Sequence, residues 1–307
     1  MRSELLLTLT TAITCCSTLA LAEGERIAVV TPYLSAVATA EMVETFTAEA
    51  EARGWQVEVV DTAGDLGAMA SRLQDVVASG VHAVVVVSID PAQVQDQIDA
   101  VAAEGIPVLA IDGAENASVA LNVTSDNYVL GETMSAYLIE AIGGEGEIVR
   151  FFHSAHPGVR QREIALDDAL AANPGVTEVA SHYVQVPGQI DDSRNAMDSI
   201  LLANPGEGAI DAVWAAWDEP GIGAQLAIEA AGREGIAIAG IDGNPQAIEA
   251  IKACTPFIAT VRQGFGDMAR IAAEQLEAVF AGGTFDEPVM YAPVELITRE
   301  SLGVTCG

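Results

Sequence analysis

The sequence predicts an α/β protein of two similar lobes, each a parallel sheet flanked by helices. Three observations carry that expectation. From Arg26 onward, short β-branched runs alternate with longer Ala/Glu-rich segments of helical spacing. Runs such as residues 84–87 are apolar without alternation, as strands buried on both faces of a parallel sheet are. The pattern then restarts after residues 122–127, and such strand–helix–strand repetition is βαβ architecture.

In sequence order, the β-branched runs place strands over residues 27–31, 57–61, 83–88 and 108–111, with helices over 41–53, 66–79 and 92–104 between them. The second half repeats the arrangement. Strands fall near 147–152, 178–183, 211–216 and 237–241, and helices near 128–142, 160–172, 192–203, 221–231 and 245–253. A strand over 257–262, a helix over 266–280 and a proline-containing extended tail over 288–298 complete the sequence.

The two halves echo each other at one strand end. Val108-Leu109-Ala110-Ile111-Asp112-Gly113 resembles Ile238-Ala239-Gly240-Ile241-Asp242-Gly243, each an apolar strand ending in Asp-Gly. Ligands of open parallel sheets collect beyond the carboxyl ends of the strands, so Asp112 and Asp242 stand at the expected mouth. An Asp-Gly pair is also a favourable turn in its own right.

Charge narrows the class of partner. Forty-four acidic residues against 13 basic ones leave a net charge of −31, and Lys252 is the only lysine. Nucleic acid and anionic lipid surfaces are thereby disfavoured, because binding them relies on neutralising phosphates with Lys and Arg. Self-repulsion on this scale is relieved by abundant external salt, which fits a saline habitat.

Residues 1–22 read as a secretory signal with a short Arg2-containing head, an apolar stretch and a small-residue end at Ala20-Leu21-Ala22. No later apolar stretch is long enough to cross a bilayer. An exported mature protein keeps Cys254 and Cys306. An even pair in an oxidising compartment is a disulfide candidate, although sequence alone does not show that the two meet.

The common catalytic signatures are missing: there is no phosphate-binding P-loop, HExxH helix, GxSxG elbow or EF-hand loop. His153 and His156 are spaced as a conceivable metal pair but fall in a loop after a strand with no further ligand nearby, and they read as polar loop residues. Neither an enzyme, a metal nor a cofactor is expected.

Five segments in order give the sequence its resemblance: Thr124-Ser125-Asp126-Asn127, Arg160-Gln161-Arg162, Val213-Trp214-Ala215-Ala216-Trp217-Asp218-Glu219, Gly240-Ile241-Asp242-Gly243 and Thr260-Val261-Arg262-Gln263. Together with the signal, they resemble the periplasmic sugar-binding proteins of ABC importers, ribose-binding type. The resemblance implies a type I periplasmic binding protein, with two Rossmann-like lobes joined by three hinge crossings near Asp126, Gln263 and Thr298. Residues 23–125 plus 264–297 would form the N-terminal lobe, and 126–263 plus 298–307 the C-terminal lobe. The partners it implies are a small neutral pentose, hexose or sugar alcohol and membrane ABC permease subunits. A monomeric state and a periplasmic location are implied as well.

Carried over residue by residue, the resemblance makes Asp112 a carboxylate of the first lobe and Arg162 a guanidinium donor of the second. Asp218, Asp242 and Gln263 match the remaining polar contacts, and Trp217 stands where the pattern has a polar amide residue. The departures alter the expected ligand. The loop Tyr33-Leu34-Ser35 replaces an Asn and two phenylalanines, and Gly113 stands where the pattern has an arginine. Trp217 and Tyr33 would then supply the apolar face that packs on sugar C–H groups, with Ser35 beside them, and ribose itself is disfavoured. The same topology puts Cys254 and Cys306 in one lobe and so implies that they pair. A receptor for a chemotaxis or quorum-type, furanone-like signal would share this fold and remains the alternative.

Overall fold

A computed structural model describes residues 24–306, which form two six-stranded sheets. The signal expected over residues 1–22 lies outside the described residues. The first lobe comprises β1 (Arg26–Thr31), α1 (Val37–Ala52), β2 (Gln56–Asp61), α2 (Leu66–Ser79), β3 (Ala83–Val87), a 3-10 turn (Pro91–Val94) leading into α3 (Gln95–Ala103), β4 (Val108–Ile111) and β5 (Leu121–Thr124). The second runs through α4 (Asn127–Ala141), β6 (Gly146–Phe152), α5 (Pro157–Ala172), β7 (Val176–Tyr183), α6 (Gln189–Ala203), β8 (Ala212–Ala215), α7 (Asp218–Ala230), β9 (Ala237–Asp242), α8 (Pro245–Lys252) and β10 (Phe257–Gln263). Then α9 (Phe265–Phe280) and β11 (Val289–Tyr291) rejoin the first lobe, and β12 (Val294–Thr298) the second.

The strand orders are β11-β5-β4-β3-β1-β2 and β12-β10-β9-β8-β6-β7. Every pairing is parallel except β12 on β10. All five residues of β3 are buried, which explains its unalternating Ala83-Val84-Val85-Val86-Val87 run. Odd and even positions serve different layers. Ile27, Val29, Val85, Val87, Leu109 and Ile111 enter one apolar cluster, while Ala28, Val30, Val84, Val86, Val108 and Ala110 enter another on the opposite face. Each Val or Ile so buried stabilises the fold by roughly 1.5–3 kcal/mol. The second lobe has one continuous cluster, with Trp214 its largest fully buried side chain and the indole N–H donating to Ser135 Oγ (3.0 Å).

Two differences from the sequence-based expectation have physical causes. Helices α1, α5, α6 and α7 begin up to a turn earlier than the apolar periodicity indicates. Caps rather than periodicity set some of these starts: the His156 side chain accepts the Gly158 N–H and Pro157 occupies the first turn of α5. The third crossing also moves. It falls at Ala292-Pro293, ahead of the expected Thr298, because residues 294–298 are already paired with β10 in the second sheet. Thr298 instead ends β12 and exchanges hydrogen bonds with Ser301. The other two crossings, after Ser125 and after Gln263, coincide with changes of sheet.

Cys254 and Cys306 are joined in a disulfide that pins the tail after β12 to the end of α8, closing a loop of 52 residues. Both ends belong to the second lobe. Replacing both cysteines with serine is expected to lower stability by about 3 kcal/mol in chemical denaturation while leaving ligand affinity unchanged. An unaltered denaturation midpoint would refute this stabilising role.

Candidate ligand-binding cleft

The carboxyl ends of both sheets face each other across one cavity that encloses about 520 Å³ of empty space, the solvent at its mouth included. Tyr33 follows β1, Ser88 follows β3 and Asp112 follows β4; opposite them His153 follows β6, Trp217 follows β8 and Asp242 ends β9. Three of these residues sit at positive φ, Ser88 at 59°, Asp112 at 54° and Asp242 at 129°. Non-glycine residues adopt such angles at a cost of order 1–3 kcal/mol, and the strain is typical of residues held at ligand sites.

Arg162, on the first turns of α5, is the guanidinium of the cavity and is only 2% exposed. Its Nε donates to Asn127 Oδ1 (2.9 Å), its Nη1 donates to the Ala216 carbonyl (2.7 Å), and Nη1 lies 3.7 Å from Asp242 Oδ1. Asp242 Oδ1 also accepts from Gln263 Nε2 (2.9 Å). Burial drives the Asp242 carboxyl well above the usual carboxylate range, with Arg162 opposing the rise and Asp218 adding to it.

Asp218 and Glu219 are neighbours with different roles. Asp218 is fully buried beneath the cavity, accepting from Thr260 Oγ1 (2.7 Å) and the Asn244 N–H (2.8 Å), and so it ties α7 to β10 and the β9–α8 loop. Burial pushes its carboxyl up to about 7 despite those bonds. Glu219 lines the cavity, where Oε1 accepts from Gln189 Nε2 (2.7 Å) and Oε2 from the Trp217 indole N–H (3.2 Å). Burial raises its carboxyl too.

The lobes are closed upon each other. The Tyr33 hydroxyl meets His153 Nε2 (3.4 Å), the Val37 N–H reaches Glu219 Oε1 (3.4 Å) and His156 Nε2 lies 3.3 Å from Asp112 Oδ2. At the rim Gln93 Nε2 donates to the Ala155 carbonyl (3.1 Å) and Arg160 pairs with Asp90. Hydrogen-bond partners assign the imidazole protons. His153 Nδ1 faces the Val184 carbonyl (2.9 Å) and therefore carries the proton, leaving Nε2 to accept from Tyr33. Burial lowers the His153 pKa, keeping the ring neutral. His156 Nδ1 accepts the Gly158 N–H (3.2 Å), so its proton sits on Nε2 toward Asp112.

Of the residues singled out in the sequence, Tyr33, Asp112, Arg162, Trp217 and Asp242 come together on the cavity wall. Three are placed elsewhere. Ser35 is exposed, Asp218 lies underneath with both oxygens engaged, and Gln263 is buried against Asp242. Asp126, at the first crossing, caps α4 by accepting the Val129 N–H (3.1 Å). Ser88 and Phe265 line the cavity although no sequence motif marks them, Glu219 does so although only its neighbours Trp217 and Asp218 are singled out within its segment, and so do His153 and His156, whose spacing alone reads as that of polar loop residues. The arginine missing after Asp112 has a local reason: a Cβ at Gly113 would come within 2.9 Å of Ala110 Cβ and 3.0 Å of the Ile89 carbonyl oxygen.

Two lobes with a polar cleft at the strand ends define a binding protein. The chain belongs to the periplasmic binding protein domain family, whose pattern matches residues 27–284. It is 28% identical over 262 residues to the ribose import binding protein of Bacillus subtilis (strain 168), covering 82% of this chain and 80% of that one. To the xylitol-binding protein of Mycolicibacterium smegmatis it is 27% identical over 242 residues, covering 78% and 68%. Among solved structures, an ABC transporter solute-binding protein from Agrobacterium vitis with bound allitol superposes with a TM-score of 0.85 at 27% identity, covering 92% of this chain and 97% of that one.

The raised carboxyls give a signed pH dependence. A carboxyl whose folded pKa exceeds its unfolded value stabilises fully below the unfolded pKa, and that contribution is lost as pH rises through the folded pKa. For Asp218 the window runs from the ordinary value of 3.8 to about 7. The melting temperature of ligand-free protein should therefore fall between about pH 4 and about pH 7, and Asp218→Asn should make that fall shallower. An identical pH slope in the variant would show that Asp218 is not its source.

Proposed function

We propose that the protein captures a sugar or sugar alcohol between its lobes and presents it to the membrane permease of an ABC importer. The observation that carries this reading is the composition of the cleft wall. Asp112 from the first lobe and Arg162, Glu219 and Asp242 from the second converge on one cavity, where Tyr33, Trp217 and Phe265 supply aromatic surface beside aliphatic groups, two hydroxyls and two imidazoles. Carboxylates and a guanidinium satisfy hydroxyls, while flat aromatic surfaces pack on the C–H groups of a sugar ring or an open polyol. The named relatives support the same chemistry, since they are described as binding ribose, xylitol and allitol. The furanone-type alternative has no such counterpart among them. Export with removal of residues 1–22 and release into the periplasm belong to this proposal, as do lobes of residues 24–125 plus 264–292 and 126–263 plus 293–306.

The mechanism is binding without reaction. Ligand enters an open form, contacts one lobe and is enclosed when the other docks. It shifts the population only by its differential affinity for the closed form, and moving from mostly open to mostly closed takes roughly 5.5 kcal/mol of it. Thermal-shift screening with ribose, xylitol, allitol and related hexoses should reveal at least one ligand that raises the melting temperature. Arg162→Ala should then weaken that ligand by about a hundredfold, taking ~3 kcal/mol for a charge-assisted bond left unmatched. Undiminished calorimetric affinity in the variant would sink the site assignment.

A further inference from the structure

One carboxyl of the cleft has no cation beside it. Among the described residues lining the cleft, Asp112, Glu219 and Asp242 supply three carboxyls against the single guanidinium of Arg162, which lies beside Asp242. Burial raises the carboxyls of Glu219 and Asp242, so the group left to be matched is Asp112. The two histidines supply no cation, because His153 Nε2 accepts from the Tyr33 hydroxyl while its Nδ1–H faces a carbonyl, and His156 Nδ1 accepts a backbone N–H, leaving each ring neutral in this arrangement. Arg162 is itself already engaged by Asn127, Ala216 and Asp242.

Asp112 stands apart from Arg162, on the other lobe. It is 4% exposed, Oδ2 meets only the N–H of a neutral imidazole, and Oδ1 is buried with no hydrogen-bond partner. An unpaired buried carboxylate oxygen is costly until something donates to it. A hydroxyl supplies one hydrogen bond and no charge. An ammonium group supplies three donors and the missing positive charge. A metal cation fits less well, since no three His, Cys, Asp or Glu side chains among the described residues form a group able to hold one. The aromatic wall of Tyr33 and Trp217 tolerates a cation at its faces.

We propose that the preferred ligand is a sugar or sugar alcohol bearing a protonated amine, with the ammonium group donating to Asp112 and the hydroxyls meeting the Arg162–Asp242 side of the cleft. This rests on the sugar-binding reading and adds one charged group to its ligand. The role of Asp112 is then to select for charge as well as to accept a hydrogen bond.

Matched pairs test it by calorimetry near neutral pH: D-glucosamine with D-glucose, D-galactosamine with D-galactose, and 1-amino-1-deoxy-D-sorbitol with D-sorbitol. In at least one pair the amine should bind about tenfold or more tightly than its hydroxyl parent. N-acetylation, which keeps the bulk and removes the charge, should abolish that advantage. Asp112→Asn should bring the amine-to-parent affinity ratio close to one while changing the parent's own affinity less. If the hydroxyl parents bind as tightly as their amines, or more so, this inference is overturned and the sugar-binding reading stands. Equal losses for amine and parent in Asp112→Asn also overturn it, because Asp112 would then act as a hydroxyl acceptor alone. If no neutral or aminated sugar, including ribose, xylitol and allitol, binds the wild-type protein, both readings fail together.

Discussion

The guanidinium of Arg162 is the constraint around which the cleft is organised. One buried cation joins three segments that are distant in sequence: Asn127 at the start of α4, the Ala216 carbonyl after β8 and Asp242 at the end of β9. Asn127 in turn donates to the Ser125 carbonyl (3.1 Å), so the anchor extends to the first crossing between lobes. Burying a charge requires this degree of pairing. The backbone makes room for it as well. A Cβ at Gly131 would lie 2.7 Å from Arg162 Cα, and one at Gly158 would lie 2.8 Å from Asn127 Oδ1, so α4 and α5 approach closely enough for the Arg162–Asn127 bond only because both positions are glycine. The floor of the cleft and the first crossing between lobes are thereby tied together by hydrogen bonds.

Closure rests on much weaker interactions. The contacts between lobes include two bonds stretched to 3.4 Å, a neutral imidazole on a carboxylate and an ion pair whose Arg160 side chain is 39% exposed. Exposed pairs of that sort contribute about 0–1 kcal/mol, and the others are neutral or singly charged bonds exchanged with water in an open form. A hydrogen-bonded floor combined with a loosely held roof is the arrangement a ligand-gated population shift requires. If the direct contacts were strong, the protein would stay closed without ligand and entry would be slow.

Most of the architecture is legible in the sequence because burial on two faces leaves a local mark. The strand runs, the restart near residue 122 and the paired Asp-Gly strand ends all follow from short-range pattern. What escapes depends on long-range geometry. The tail over 288–298 reads as a single extended segment, yet Val289–Tyr291 pairs with β5 and Val294–Thr298 with β10, a change of sheet that only the partner strands reveal. Asp218 and Glu219 are adjacent on the first turn of α7, where successive residues point about 100° apart. Which carboxyl faces the cavity depends on the rotation of the helix about its axis. His153 and His156 gain their meaning only from Tyr33 and Asp112 across the cleft, more than 40 residues away.

The acidity of the protein has two physical fates. Carboxylates on the surface repel one another and are relieved by salt within a Debye length of about 8–10 Å. Those in and under the cleft cannot use that relief, because mobile ions do not enter a closed, low-dielectric site, and the protein answers with raised pKa values at Asp218, Glu219 and Asp242. The two populations are therefore decoupled. External salt can tune the stability of the fold through the exposed carboxylates, while the charge state of the cleft is set by its own neighbours and by what binds there. The same residue type thus solvates the outside of the protein and lines the cleft within it, and burial decides which.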